Sequence, residues 1–322
     1  MGQFNKNTYF LITGVAGFIG ANIAQTLLAA GYKVRGFDNF LTGDRDNILD
    51  FESHPNFQFI EGDVRDLSAC MDACEGIDYV LHQAALGSVP RSVDDPLKTH
   101  EINTTGTLNV FWAAHKQKVK RVVYASSSSV YGDSQSLPKL EGQEGQLLSP
   151  YAVSKKNGED YAKVFHSLYG LEIVGLRYFN VFGPKQAANS TYAAVIPQFV
   201  QAFLSDEQPH IFGDGEQSRD FTYVDNVVQA NMLACLAPGI SGKVFNIACA
   251  DRMTLNELCR KIADIMGVHC QPIFTETRKG DIKHSFAGIG QAEELMGYQP
   301  AISVKEGLLK TVNWYQAQQE TL

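Results

Sequence analysis

A chain of 322 residues, 44% apolar and 19% charged, is long enough to bury a sizeable core and has the composition of an ordinary globular enzyme. Its formal net charge of -8 argues against non-specific nucleic-acid binding, and no apolar run approaches the ~18 to 20 residues needed to cross a bilayer. The six cysteines show no CxxC pair and no histidines at zinc-finger spacing, so reduced, mostly buried thiols and no metal are expected.

The first residues lead straight into a strand and carry no signal-like apolar region, which makes the cytoplasm the expected compartment. Residues 9–13 read as a short apolar strand running into Gly14-Val-Ala-Gly17-Phe-Ile-Gly20, followed by a helix to about Ala30 that Gly31 closes. Further strands are expected at 33–37, ending at Asp38, at 57–60, before Glu61-Gly62-Asp63, and at 78–82, before Gln83. A long helix over roughly 99–117 precedes the apolar run 121–125, which ends in four serines, 126–129. A helix from Tyr151 to Tyr169 follows. After Gly183-Pro184 the elements shorten, and 244–248 again reads as a parallel strand. Strands that are continuous apolar runs alternating with helices indicate an α/β fold, a Rossmann-like doubly wound parallel sheet over residues 1–180. Later stretches, about 220–250, return to that domain, and 181–322 form mainly a smaller mixed α/β lobe.

Gly14-x-x-Gly17-x-x-Gly20 sits between strand and helix, where glycines let the backbone approach a pyrophosphate at the positive helix N-terminus. A glycine turn alone could be a tight connection. Asp38, at the end of the second strand, is placed to accept hydrogen bonds from ribose hydroxyls and would repel a 2′-phosphate, so NAD is favoured over NADP. Asp63 follows the third strand and either meets the adenine edge or serves as a turn or cap carboxylate. Tyr151-x-x-x-Lys155 places a phenol and an ammonium on one helix face, where the cation is expected to lower the phenol's pKa and make it a base.

Together the glycine motif, Asp38, the string SSSSVYG at 126–132, Tyr151-x-x-x-Lys155, Arg177-Tyr-Phe-Asn180 and Arg219-Asp220 resemble the extended short-chain reductases acting on nucleotide sugars. The closest resemblance is to the UDP-hexose 4-epimerases, particularly those taking N-acetylated sugars. The resemblance implies that Ser127 hydrogen-bonds the sugar hydroxyl and that Tyr151 takes the O4 proton while the C4 hydride moves to NAD. Lys155 would bridge the nicotinamide ribose. A 4-keto sugar then turns over and is reduced on its other face. It implies too that Phe18, Ile19, Asn39, Val64, Asn103 and Tyr178 complete the cofactor site. Asn180, Arg219 and Arg278 would grip the UDP diphosphate, Phe212 would flank the uracil, and Ala194 and Val195 would contact the nucleotide through their backbone. Gly87 and Ser88 would line the sugar pocket.

Two further positions bear on the reaction. Related dehydratases carry an Asp-Glu pair where this chain has Ser128 and Ser129, and related decarboxylases carry Glu at the second, so elimination and decarboxylation are disfavoured. Ser285 stands where a bulky residue restricts relatives to simple hexoses, so UDP-N-acetylglucosamine and UDP-N-acetylgalactosamine are the expected pair. Preference for the uronic acid or for UDP-glucose, a dehydratase or decarboxylase, and a non-catalytic NAD-binding protein are the alternatives. Apolar residues on several faces of the two long helices, including Leu108, Phe111, Trp112, Phe165 and Leu168, suggest a homodimer.

Overall fold

The computed structural model describes residues 4–188, 193–276 and 284–320. The first half alternates β1 (Tyr9–Thr13), α1 (Phe18–Ala29), β2 (Lys33–Asp38), α2 (Asp46–Glu52), β3 (Phe57–Glu61), α3 (Leu67–Cys74) and β4 (Tyr79–His82). Two short helices, α4 (Val89–Asp94) and α5 (Pro96–His100), then lead through one π turn, Glu101–Thr105, into α6 (Gly106–Lys116). β5 (Arg121–Ser127), α7 (Pro150–Tyr169) and β6 (Ile173–Tyr178) complete this run. Beyond it lie β7 (Val181–Phe182), α8 (Val195–Leu204), β8 (His210–Phe212), β9 (Ser218–Arg219), β10 (Thr222–Tyr223), α9 (Val224–Leu236), β11 (Val244–Ile247), β12 (Met253–Thr254), α10 (Leu255–Met266), β13 (Ile273–Thr275), α11 (Gly290–Met296) and α12 (Val304–Glu320).

Seven parallel strands form one sheet in the order β11-β6-β5-β4-β1-β2-β3. The chain moves outward from β1 to β3 and then returns to lay β4 on the other side of β1. That reversal opens a crevice at the carboxyl ends of β1 and β4. The apolar strand runs cover both faces: Phe10, Ile12, Leu81, Val123 and Val174 face the layer of α1 and α9, while Leu11, Val80, Val122 and Ile173 face that of α3, α6 and α7. Segments distant in sequence return to the first layer, since Ala287, Ile289, Ala292, Met296 and Tyr298 share its core. A third core gathers Phe199, Phe203, Ile211, Leu258, Ile262, Leu308 and Val312 from α8, β8, α10 and α12. Three two-stranded pairs, β10-β7, β13-β8 and β12-β9, accompany it.

The helix expected over 99–117 is interrupted. The π turn inserts a residue and buries Asn103, whose amide donates to Leu86 O at 3.2 Å and to Ser154 Oγ at 3.1 Å while Leu86 N donates to its Oδ1 at 2.8 Å. The side chain thus fastens the loop after β4 to α7. Of the residues expected to face a partner, Phe111 and Phe165 are instead core, because α6 and α7 cover the sheet.

One ionic pair joins the layers. Arg177 of β6, 1% exposed, donates from Nε and Nη2 to both oxygens of Glu159 on α7, 0% exposed, at 2.8 and 2.7 Å. Ser126 Oγ of β5 donates to the same carboxylate at 2.6 Å, and Arg177 also meets Glu144 and, at 3.0 Å, the hydroxyl of Tyr131. Arg177→Met should therefore lower stability by about 3 to 5 kcal/mol, because a carboxylate would stay buried without its partner. The double variant with Glu159→Leu should lose less than the sum of the single variants, as read from urea-unfolding midpoints.

Candidate active site

The crevice at the strand ends holds about 540 Å³ of open space and is lined by Gly14, Gly17, Asp38, Asn39, Asp63, Val64 and Ile102, and by the loops 41–43 and 83–86. Gly14 has φ +71°, and a Cβ there would lie 2.7 Å from Ala84 N. At Gly20 a Cβ would lie 2.2 Å from Gly14 O, so the turn closes only with hydrogen at that position. Gly17 is the N-cap of α1 and brings no side chain to its free N–H groups. Phe18 and Ile19 open that helix.

Asp38 is buried at the rim of this cradle. Its carboxylate accepts from Ala16 N at 2.9 Å and Phe40 N at 2.8 Å, and burial raises its pKa against the pull of those bonds. The acid therefore both shapes the turn and faces the crevice. Asp63 also lines it, but its oxygens are held by Arg65, with Nη2 at 2.7 Å, and by Asn39 Nδ2 at 2.7 Å. The Arg65 guanidinium brings its pKa down to about 2. It does not cap α3, a role that falls to Asp66.

Two strands further along the sheet lies the second constellation. β5 ends at Ser127, whose Oγ accepts from Ser129 N at 3.1 Å and opens a 3-10 turn over Ser128–Tyr131. Ser129 Oγ is buried without a hydrogen-bond partner among the described residues. Tyr151 sits in the first turn of α7, behind the Ser149 cap and Pro150, with the Ser127 hydroxyl close enough to its phenol to favour the phenolate. Lys155, one turn on and 9% exposed, has Nζ 5.8 Å from the Tyr151 ring centre and 2.9 Å from Ala125 O.

The expected pKa of the phenol is corrected here. Burial raises it, with the nearby Ser127 hydroxyl opposing, and the Lys155 amine donates to the Ala125 carbonyl. Burial also brings Lys155 down to about 8.

Tyr178 is buried in this wall, its hydroxyl bonded to Gln83 Oε1 at 3.1 Å and Asn231 Nδ2 at 2.9 Å, with burial raising its pKa to about 12. Asn180, at φ +34°, donates its amide to Asp220 O at 2.8 Å. Arg219 lies on β9 and donates to Ser218 O at 3.0 Å. Its neighbour Asp220 is completely buried and accepts instead from Cys249 N and Ala287 N, and burial raises its pKa to about 7. Ser285 joins the same strand edge, with its N donating to Ser218 O at 3.0 Å. Ala194 caps α8, which begins at Val195, and Phe212 ends β8. Ser88 caps α4 through Arg91 N, and Gly87 before it stands in open space. Arg278 lies outside the described residues.

A family model described as NAD dependent epimerase/dehydratase matches residues 10–248. The chain belongs to the NAD-dependent epimerase/dehydratase family. A UDP-N-acetylglucosamine 4-epimerase from Methanobrevibacter ruminantium, solved in complex with UDP-N-acetylmuramic acid, is similar with a TM-score of 0.93 and 40% identity over 98% of this chain and 100% of that one. A UDP-glucuronic acid 4-epimerase from Bacillus cereus, in complex with UDP-glucuronic acid and NAD, has a TM-score of 0.88 and 32% identity over 97% and 100%. The UDP-glucose 4-epimerase of Mycolicibacterium smegmatis is 35% identical over 308 residues, 95% of this chain and 97% of its own.

NAD is the cofactor of this epimerase/dehydratase family member. The residues fit it, since a Cβ at Gly14 or Gly20 would fill the cradle, α1 presents uncapped N–H groups, and Asp38 faces the crevice. Glu159 is absent from the residues singled out by sequence, although its place one turn after Lys155 on the same face was a usable signal. Loop 41–43 was also missed. Its Gly43 packs against Ala16 so closely that a Cβ would lie 2.8 Å from the alanine side chain.

A pH test follows from Lys155. Its folded pKa of about 8 lies below the ordinary lysine value of 10.5, so the unfolded chain binds more protons between those values. The buried ammonium costs stability below pH 8, and that cost disappears as pH rises toward 10.5. Wild type should therefore gain stability relative to Lys155→Met across that window, measured by chemical denaturation at several pH values.

Proposed function

We propose that this chain interconverts UDP-N-acetylglucosamine and UDP-N-acetylgalactosamine by inverting C4 through a transient 4-keto sugar. It is an NAD-dependent enzyme of the UDP-sugar 4-epimerase kind. The observation that carries the finer reading is the small side chain of Ser285, held at the edge of β9 beside Arg219. A larger residue there would occupy space that an N-acetyl group needs. The similarity to an epimerase named for an N-acetylated sugar supports the same reading.

Bound NAD supplies a hydride acceptor that returns the hydride later in the same turnover. Tyr151 removes the proton from the sugar O4 and gives it back to the ketone oxygen, since base and acid are the same group in opposite directions. Ser127, beside the phenol, orients the O4 hydroxyl against it. Lys155 favours the phenolate once its ammonium is turned from Ala125 O, and the N-terminal end of α7 acts in the same sense. Asp38 and the glycine cradle hold the dinucleotide. Asn180 and Arg219, with Arg278, are assigned to the diphosphate, Phe212 to the uracil, and the backbone at Ala194 and Val195 to the nucleotide. Ser128 and Ser129 offer hydroxyls where elimination needs an acid and a base.

Purified enzyme given UDP-glucose, UDP-N-acetylglucosamine and UDP-N-acetylglucosaminuronic acid should invert the N-acetylhexosamine fastest, with no net NADH. Ser285→Tyr should lower that rate by about 10²-fold or more and spare UDP-glucose. Equal loss on both substrates would overturn the role of Ser285, and a preference for the uronic acid would overturn the substrate assignment.

We further propose a homodimer. α4 and α5 pack on α7, and Val93 of α4, Leu97 of α5 and Val164 and Leu168 of α7 are exposed, Leu97 by 76% and Leu168 by 70%. Such apolar exposure on helices packed together suits burial against a second copy. Sedimentation should give a dimer for wild type and a monomer for the double variant Leu97→Glu, Leu168→Glu; a monomeric wild type would refute it.

A further inference from the structure

Of the six cysteines, Cys70, Cys74 and Cys235 are buried apart from the chemistry, and Cys249 Sγ accepts from Asn226 Nδ2 at 3.6 Å. Cys259 and Cys270 differ from these. Their sulfur atoms lie 3.2 Å apart, in direct contact. The approach is built by the local fold. Cys259 lies seven residues from the end of α10, or about 10 Å of helix. Gly267 then takes the left-handed conformation at φ +67°, and Val268 N bonds back to Ala263 O. Three residues of returning chain cover about the same length and set Cys270 beside Cys259.

The two thiols are unequal. Cys259 is fully buried, and burial together with the Cys270 sulfur raises its pKa, so it is a poor first nucleophile. Cys270 is half-buried and meets solvent. We propose that Cys259 and Cys270 form a redox-active dithiol that small disulfide oxidants of the glutathione class convert to an intramolecular disulfide. The Cys270 thiolate attacks one sulfur of oxidised glutathione, giving a mixed disulfide and releasing one glutathione thiol. Cys259 then gives up its proton as its sulfur displaces the second glutathione. The protein loses two hydrogens, and the oxidant is reduced to two thiols. Closing the contact to a bond of about 2.05 Å asks each sulfur to move by roughly 0.6 Å. Cys270 runs into β13, which pairs with β8 up to Thr275 and Phe212, so the bond would tie that strand pair to α10. This proposal stands apart from the substrate assignment.

The test treats the intact protein with oxidised glutathione, blocks the remaining thiols after unfolding, and maps peptides by mass spectrometry without reduction. Wild type should yield one cross-linked pair, Cys259 with Cys270, with no retained glutathione there, and dithiothreitol should restore both thiols. Cys259→Ser should stop at a stable glutathione adduct on Cys270. Cys270→Ser should leave Cys259 unmodified. A lasting glutathione adduct on Cys270 of wild type, or free thiols at both Cys259 and Cys270 at an oxidant concentration that already modifies half-buried Cys249, would overturn the proposal.

Discussion

The bidentate pair between Arg177 and Glu159 is the constraint on which the rest of the catalytic wall depends. Both side chains are almost wholly removed from water, and burial of such ions is costly unless every donor and acceptor is met. Here the carboxylate receives Arg177 twice and Ser126 once, while the guanidinium also reaches Tyr131 and Glu144. These contacts join β5, β6 and α7, and they do so where the strands end. Ser126 immediately precedes Ser127, and Glu159 lies one turn beyond Lys155. The network therefore sets the height of α7 against β5, and with it the distance between the phenol of Tyr151 and the hydroxyl of Ser127.

That placement puts two opposite ionisable groups into a dry wall. Alone, each prefers neutrality: burial raises the Tyr151 phenol and lowers Lys155 to about 8. A charge on either makes the opposite charge on the other less costly, so the pair titrates as a unit once the ammonium and the phenol oxygen approach. Sequence proximity is consequently not enough to make tyrosine a base. In this structure Lys155 spends a donor on Ala125 O, and in the proposed mechanism its long side chain turns toward the phenol oxygen to favour the phenolate.

Much of the first domain is legible because its signals are local. Apolar runs of strand length, glycine punctuation and a capped helix mark β1 to β5, α1 and α7 within a residue or two. What escapes is set by distant partners. The π turn at Glu101–Thr105 leaves no mark in helical periodicity, since it exists to bring Asn103 to Leu86 and Ser154. Asp220 likewise adjoins Arg219 in sequence, whereas its carboxylate is claimed by backbone groups at Cys249 and Ala287 that only the fold supplies. Which of the apolar residues on several faces of α6 and α7 are core is not legible either: Phe111 and Phe165 are, because a helix that covers a sheet buries an arc wider than a simple stripe.

The segment carrying Ser285, the proposed specificity position, is held through its main chain. Ser285 N is fixed to Ser218 O, Ala287 N to the Asp220 carboxylate, and Gly288 N to Lys139 O. Asn246 of β11 closes the set by donating to Lys139 O and Gly288 O, and its own Oδ1 accepts from the Tyr131 hydroxyl that also meets Arg177. The backbone at 285 is thus referred back to the buried pair that positions the catalytic helix. A change of side chain at that position would be expressed as a change in the space beside Arg219, because the main chain is pinned on both sides. In the proposed reaction the grip on the nucleotide and the size limit on the sugar are thereby separable, as suits a substrate that stays attached while its hexose turns over.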